Sequence, residues 1–277
     1  MTTLLAQLTD MHIREPGRLA YGRLDTAPYL RVAVATMMQL KQRPDAVVLT
    51  GDLTDFGRAA EYAHLAELIA PLTMPLYLLP GNHDDRDQLR RSFAHHAYFG
   101  DGEFVQYSVD VGAPGGLRLV VLDTLEPGAS HGHLCAVRLH WLDDELSRLR
   151  DRAVVIAMHH PPFTTLIGHM DRIGLLHGAE ELEQIVSRHP NIERVICGHL
   201  HRTIYTRFGG TLASTSPSPA HQVCLDLAED APSAWILEPP GFHLHAWSGP
   251  GKLLTHVAAS GRFEGPYPFH ENGALID

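Results

Sequence analysis

Ala46-Val47-Val48-Leu49-Thr50-Gly51-Asp52-Leu53-Thr54-Asp55 is the stretch whose reading decides the fold. Four apolar residues run into a Thr-Gly pair, and a carboxylate follows at once. A short continuous apolar run, preceded by Pro44 and ended by Gly51, predicts a parallel strand buried on both faces. Gly51 permits a sharp backbone turn, which puts Asp52 just past the strand's carboxyl end. In open α/β sheets that rim is where ligands bind.

The same construction recurs in both directions. Upstream, the apolar residues 3–9 end in Asp10-Met11-His12. Asp and His at i and i+2 on a strand end project to one side, so both can grip one ion. Downstream, residues 75–79 run into Pro80-Gly81-Asn82-His83-Asp84. Between these strands, 27–42 and 58–70 carry apolar residues at helical spacing (Leu30, Val34, Met37; then Leu65, Ala66, Ile69). The order β-α-β-α-β predicts helices on both faces of a parallel sheet, with right-handed crossovers.

Further along, 104–109 and 117–122 read as adjacent strands and 136–150 as an amphipathic helix. Residues 153–158 deliver His159-His160-Pro161-Pro162. A helix over 179–188 and a strand over 192–197 then deliver Gly198-His199-Leu200-His201. Alternating segments at 203–208, 210–215 and 221–227 predict antiparallel strands of a second sheet stacked on the first. The loops 14–25, 124–134 and 163–178 are polar and Gly-containing, and Tyr21 in the first reads as a surface tyrosine. Composition shifts near Ala231-Pro232. Residues 1–229 are therefore expected to form the core, and 230–277 an appendage that caps or extends it, with short strands at 234–238, 242–247 and 253–258. Packing of that tail on a neighbouring copy would make the protein a homo-oligomer.

Composition excludes several classes. The 277 residues are 44% hydrophobic, enough for a large core, yet no run approaches the length of a membrane span. The opening MTTLLAQLTD has no basic region and no small-residue cleavage site, so no signal peptide is expected. Three cysteines (Cys135, Cys197, Cys224) without CxxC spacing point to a reducing cytoplasm rather than a disulfide framework. The net charge is −10, from 22 basic and 32 acidic residues, and only Lys41 and Lys252 are lysines. A nucleic-acid polymer or a membrane surface is a poor partner for such a chain.

Seven residues converge in this reading: Asp10, His12, Asp52, Asn82, His159, His199 and His201. Mixed carboxylate, imidazole and amide donors suit borderline first-row metals (Zn, Mn, Fe or Co) and not calcium. Asp10, His12, His201 and Asp52 make four ligands for one ion. Asn82, His159 and His199, with Asp52 shared, make four for a second. A shared carboxylate would hold the pair roughly 3.5 to 4 Å apart. Two divalent cations against Asp10, Asp52 and a bridging hydroxide leave roughly +1, enough to draw a phosphate to an acidic protein.

Asp10-Met11-His12, Gly51-Asp52, Gly81-Asn82-His83-Asp84, His159-His160 and Gly198-His199-Leu200-His201 resemble, in order, the five blocks of the calcineurin-like metallophosphoesterases, over roughly residues 4–225. Within that family, His159-His160-Pro161-Pro162 and the short loops are similar to bacterial class III cyclic nucleotide phosphodiesterases and to glycerophosphodiesterases. Ser214-Thr215-Ser216-Pro217, His221-Gln222-Val223, Gly265-Pro266-Tyr267 and Glu271-Asn272 resemble the glycerophosphodiesterase branch most. The resemblance implies a four-layer α/β/β/α sandwich of two mixed sheets with a small C-terminal cap, and metal sites divided as counted above. The expected reaction is hydrolysis of a small phosphodiester, a 3′,5′-cyclic nucleotide or a glycerophosphodiester, by a hydroxide bridging two metals at Asp52. His83 needs no place in either ligand count; it is expected to contact the phosphate or protonate the leaving oxygen, with Asn82 and His221 as further substrate contacts. Asp84 is expected to orient His83 or cap the following helix. A phosphomonoesterase or protein phosphatase using the same metals, a nuclease, or a non-catalytic scaffold on the same fold are the alternatives.

Overall fold

The structure is a computed structural model that describes residues 2–276. In chain order it contains β1 (Thr3–Leu8), α1 (Ala27–Met38), β2 (Ala46–Thr50), α2 (Ala59–Ile69), β3 (Leu76–Leu79), α3 (Arg86–Ser92), β4 (Tyr107–Val111), β5 (Leu117–Val121), β6 (Gly132–His133) and α4 (Ala136–Arg148). There follow β7 (Val154–Ala157), α5 (Gly168–Asp171), β8 (Leu175–His177), α6 (Ala179–Ser187), β9 (Ile192–Cys197), β10 (Ile204–Phe208), β11 (Thr211–Thr215), β12 (Gln222–Val223), β13 (Trp235–Ile236), β14 (Gly241–Trp247), β15 (Leu253–Ala259), β16 (His270–Glu271) and β17 (Ala274–Leu275).

Two mixed sheets lie face to face. The first has the order β15-β14-β1-β2-β3, the second β10-β11-β9-β7-β5-β4. In the first, β1, β2 and β3 are parallel and β14 joins β1 antiparallel. In the second, β5, β7, β9 and β11 are parallel, with β4 and β10 antiparallel at the edges. The strand pleat explains why the central runs are apolar throughout. Leu119 and Val121 of β5 and Val155 and Ala157 of β7 face the core shared by the two sheets. Their neighbours Val120, Val154 and Ile156 turn outward and meet Leu139, Leu142 and Leu146 of α4 and Leu182 and Ile185 of α6. On the far side of the first sheet, Leu30, Val34 and Met37 of α1 and Leu65, Leu68 and Ile69 of α2 close the outer layer. The result is the expected four-layer α/β/β/α sandwich, and it leaves the carboxyl ends of β1, β2, β3, β5, β7 and β9 along one rim.

Three features go beyond or against the sequence expectation. The 221–227 segment is not a strand of the second sheet; only β12 forms there, and it pairs with β13 as a separate two-stranded ladder. Residues 241–259, on the appendage side of the expected boundary, supply β14 and β15 to the first sheet, in seven-residue register with one another. The loops 124–134 and 163–178 are tied together by β6 and β8, with Gly132 N donating to Gly174 O (2.9 Å) and Leu134 N to His177 O (2.9 Å). Among the described residues no helix is long and apolar enough to cross a membrane.

Candidate metal centre

Three of the five strand ends that carry candidate ligands, those of β1, β2 and β9, leave the sheet through an unusual backbone. Asp10 (φ 54°), His12 (φ 44°), Asp52 (φ 46°), His199 (φ 69°) and His201 (φ 50°) all adopt the left-handed conformation. Such values are uncommon for non-glycine residues and cluster at functional sites. They also revise the pairing argument for Asp10 and His12. β1 ends at Leu8, so the two side chains converge through left-handed turns and not through strand alternation. Backbone bonds hold the turns together: Asp10 N donates to Gly51 O (3.0 Å), His12 N to Asp52 O (3.0 Å) and Gly198 N to His159 O (3.0 Å). Gly51 itself has φ 90°, and a Cβ there would overlap the His159 ring. A Cβ on Gly81 would overlap the Asp52 carboxylate.

The seven candidates meet at one place. Asp52 Oδ2 lies 3.6 Å from His12 Nε2 and 3.4 Å from His159 Nε2. Asp10 Oδ1 lies 3.4 Å from His201 Nε2, and its carboxylate accepts from His199 N (3.1 and 3.0 Å). On the other side of Asp52, Asn82 Oδ1 is 3.2 Å from His159 Nε2. Compact groups of Asp10, Asp52 and His159, of His12, His201 and His221, and of His159, His160 and His199 have ligand atoms close enough to share an ion.

The donor chemistry tests whether a metal fits. His12 Nε2 and His201 Nε2 face each other at 3.2 Å, and His199 Nδ1 faces His159 Nε2 at 3.3 Å. In three of these four rings the far nitrogen is committed as a donor, while His199 Nε2 is buried without a partner among the described residues. His159 Nδ1 donates to Thr50 O (2.8 Å), His201 Nδ1 to His221 O (3.1 Å) and His12 Nδ1 to Asp55 Oδ1 (3.3 Å). Their bare Nε2 lone pairs therefore converge, an arrangement that repels unless a cation lies among them. Fixing each ligating ring through its other nitrogen is the usual support of a metal site. Burial pushes the Asp10 carboxyl up to about 6, against the pull of His159. Burial also opposes the charge on His159, yet Asp52 raises it to about 9. Without a cation a proton takes the place that the ligand set offers, so the residues fit a metal pair.

His160 is close to His159 and His199, but both of its ring nitrogens are engaged. Thr124 Oγ1 lies 2.8 Å from Nδ1, and Nε2 donates to Ser130 O (3.2 Å). His83 stands at the pocket with its side chain about one-third exposed (34%). Its Nδ1 donates to Asp55 O (2.9 Å), which leaves Nε2 free, and its own N–H donates to Asp52 Oδ1 (2.9 Å). Asp84 neither orients His83 nor caps α3, which Asp85 caps through Gln88 N. It instead accepts from Leu53 N (3.0 Å), Thr54 N (3.2 Å), Gly81 N (2.9 Å), Thr54 Oγ1 (3.2 Å) and Tyr62 OH (2.9 Å). It thereby clamps the Asp52 turn to the Asn82 turn. At the end of β5, Asp123 turns away from the metal residues to pair with Arg86 (Nη2–Oδ1, 2.9 Å).

A cavity of ≈ 350 Å³ opens over the centre, lined by His83, Asn82, His221, Tyr21, Ser130 and Trp235 among others. His221 Nε2 is 3.2 Å from Tyr21 OH. Tyr21 is thus a pocket residue and not merely a surface one, with a left-handed φ of 52°. Among the described residues no Lys or Arg lines this cavity. Arg14 is paired with Asp55 (3.2 Å) and Glu61 (3.0 Å), and Arg202 with Glu238 (2.6 Å). Sequence reasoning missed Asp55, Ser130 and Trp235 as site residues. Asp55 carried a signal, three residues after Asp52 in the same turn; Trp235 carried none, because pairing across β12 and β13 brings it in.

A model of the calcineurin-like phosphoesterase family matches residues 3–203. "Probable glycerophosphodiester phosphodiesterase GpdQ" of Arcobacter nitrofigilis is 37% identical over 275 residues, covering 99% of this chain and 100% of that one. "Probable cyclic nucleotide phosphodiesterase RPA0124" of Rhodopseudomonas palustris is 34% identical over 274 residues, covering 97% and 96%. A dimetal phosphatase from Danio rerio has the same fold (TM-score 0.62, 17% identity, 94% of this chain and 99% of that one).

Proposed function

The chain belongs to the calcineurin-like phosphoesterase family, and from that premise we propose that its metal centre hydrolyses small phosphodiesters, 3′,5′-cyclic nucleotides or glycerophosphodiesters. It is a phosphodiesterase like the relatives that span its whole length. In this reading Asp10, His12, His201 and Asp52 hold one ion, and Asn82, His159, His199 and Asp52 the other. The ions are divalent Mn, Fe, Zn or Co. When bound they supply Lewis acidity, which acidifies water and stabilises charge on the phosphoryl oxygens.

The remaining work belongs to the protein. His83, anchored through Nδ1 on the Asp55 carbonyl oxygen, presents Nε2 to the phosphate and hands a proton to the departing alkoxide. Asn82 and His221 bind the substrate from either side of the centre. Asp55 fixes the His12 ring while Arg14 balances its charge. The observation that carries a diester over a monoester is the lining of the pocket. A monoester dianion calls for a guanidinium or ammonium beside the phosphate, and both nearby arginines are engaged elsewhere.

The test compares kcat/KM for bis(p-nitrophenyl) phosphate and p-nitrophenyl phosphate on Mn-loaded protein. Faster diester cleavage is expected; faster monoester cleavage overturns the reading. Metal analysis of protein as purified should find a transition ion, and protein that holds none and stays inactive with Mn is a scaffold. Two further assignments go with this reading. Free Cys135, Cys197 and Cys224 favour the cytoplasm. The open edge of β15, with Leu254 and Val257 exposed, favours a homo-oligomer in which 230–277 extends the 1–229 core, which sedimentation would reveal.

A further inference from the structure

Residues 222–238 fold back over the metal centre. β12 and β13 pair antiparallel, with Val223 opposite Trp235 and Gln222 opposite Ile236. Cys224 N donates to Ala234 O (2.9 Å), extending the ladder by one rung. Arg202, next to the candidate ligand His201, fastens this element from below. Its Nη1 donates to Val223 O (2.6 Å) and to Glu238 Oε2 (2.6 Å), on either side of the hairpin.

The element carries one large side chain into the pocket. The Trp235 ring lies 5.8 Å from Tyr21 at 33° and 5.6 Å from His221 at 72°. His221 in turn lies 4.5 Å from His201 and 5.5 Å from His12. The rings thus form a continuous aromatic wall from the metal ligands to the cavity mouth. Met170, Ile173 and Val223 line the same cavity beside Ser130, Ser233 and His169, so next to Trp235 it offers apolar contact and, among the described residues, neither Lys nor Arg. A flat, unsaturated group gains from such a surface through its face. A compact polyol gains little, because its hydroxyls would leave water for apolar side chains.

We propose that Trp235 is a specificity-determining residue of the diesterase, packing its indole against a flat substituent of the diester that is not expelled. The proposal rests on the diesterase reading above. It assigns the C-terminal segment a direct part in substrate choice, while metal binding and proton transfer stay with the core strand ends.

Two substrates with the same leaving group test it: bis(p-nitrophenyl) phosphate and methyl p-nitrophenyl phosphate. Both expel p-nitrophenolate, and only the retained substituent differs. Trp235→Ala should lower kcat/KM for the bis-aryl ester roughly tenfold, mostly through KM, and leave the methyl ester within about twofold. Trp235→Phe should keep most of the preference. Equal losses on both esters would make Trp235 a structural plug and overturn the proposal, as would an unchanged ratio in an active variant. Metal content of the variants, expected to match wild type, guards against misfolding; should Trp235→Ala not fold, an unaltered ratio with Trp235→Leu would sink the proposal equally. Wild-type enzyme inactive on both esters would instead refute the underlying diesterase reading.

Discussion

Replacing Asp84 by asparagine probes the joint between the two halves of the metal centre. The carboxylate is 8% exposed and receives five donors. Oδ2 serves Leu53 N and Gly81 N, while Oδ1 serves Thr54 N, Thr54 Oγ1 and Tyr62 OH. An asparagine keeps one acceptor oxygen and puts an NH₂ where the other stood. With the NH₂ at the Oδ2 position, two backbone N–H groups face a donor. With the NH₂ at the Oδ1 position, the two hydroxyls can turn to accept, and only Thr54 N is orphaned. The cheaper choice still leaves one buried N–H unpaired, at about 1–3 kcal/mol, and removes the charge that strengthens the other bonds. Relief of repulsion with Asp52, which raises the Asp84 carboxyl together with its burial, returns part of this. A net loss of about 2–4 kcal/mol is expected. Urea unfolding of metal-free protein should show a midpoint lower by about 1 M, given a slope of ~2–3 kcal/mol per molar. Calorimetric titration with Mn should show weaker binding, because the Asp52 and Asn82 turns lose their common anchor. A midpoint within ~0.2 M of wild type, with Mn affinity unchanged, would refute the clamp.

Three further outcomes follow from the geometry. His83→Ala should slow alkyl diesters roughly 100-fold but p-nitrophenyl esters much less, since nitrophenolate leaves without a proton; equal slowing in steady-state assays would remove the acid role. Asp55→Asn should weaken metal binding roughly 10- to 100-fold by releasing the His12 ring, as measured by competition for Mn with a Mn-binding dye; unchanged affinity would count against the support. His243, fully buried, is pushed down to about 4 by burial and then by Arg194. Between pH 6.5 and 4 the unfolded chain binds the proton and the folded one does not, so stability falls as pH drops through that window, by about 3 kcal/mol. His243→Gln should flatten the dependence of the urea midpoint on pH there, and an unaltered slope would assign it to other groups.

The ligand letters were legible because each follows a mainly apolar segment of four to six residues that reads as a buried strand, interrupted only by Gln7 in β1 and by Glu193-Arg194 in β9. Once β1, β2, β3, β7 and β9 are parallel, their carboxyl ends must share a rim, and the residues after them must meet. The turn geometry was hidden, since left-handed Asp and His look the same in sequence as extended ones. So was the job of Asp84, whose partners Leu53 and Gly81 offer backbone groups that leave no mark in a sequence. The β12–β13 ladder was unreadable for another reason. Two-residue strands have no periodicity, and the Pro-rich run to Pro239-Pro240 masks the return of the chain to the centre. β14 was recognised as a strand but not as a neighbour of β1, because the 241–247 stretch does not announce its pairing partner.

The left-handed turns narrow what can be changed at this centre. Aspartate, asparagine and histidine are the non-glycine residues that enter that backbone region most readily, and they are also short oxygen and nitrogen donors. Backbone and coordination thus select the same letters at Asp10, His12, Asp52, His199 and His201. A glutamate at position 52 would have to satisfy a longer reach and a less tolerant backbone together. Attempts to retune the metal preference by swapping ligands are therefore better aimed at Asn82 and His159, whose main chains are free of that restriction.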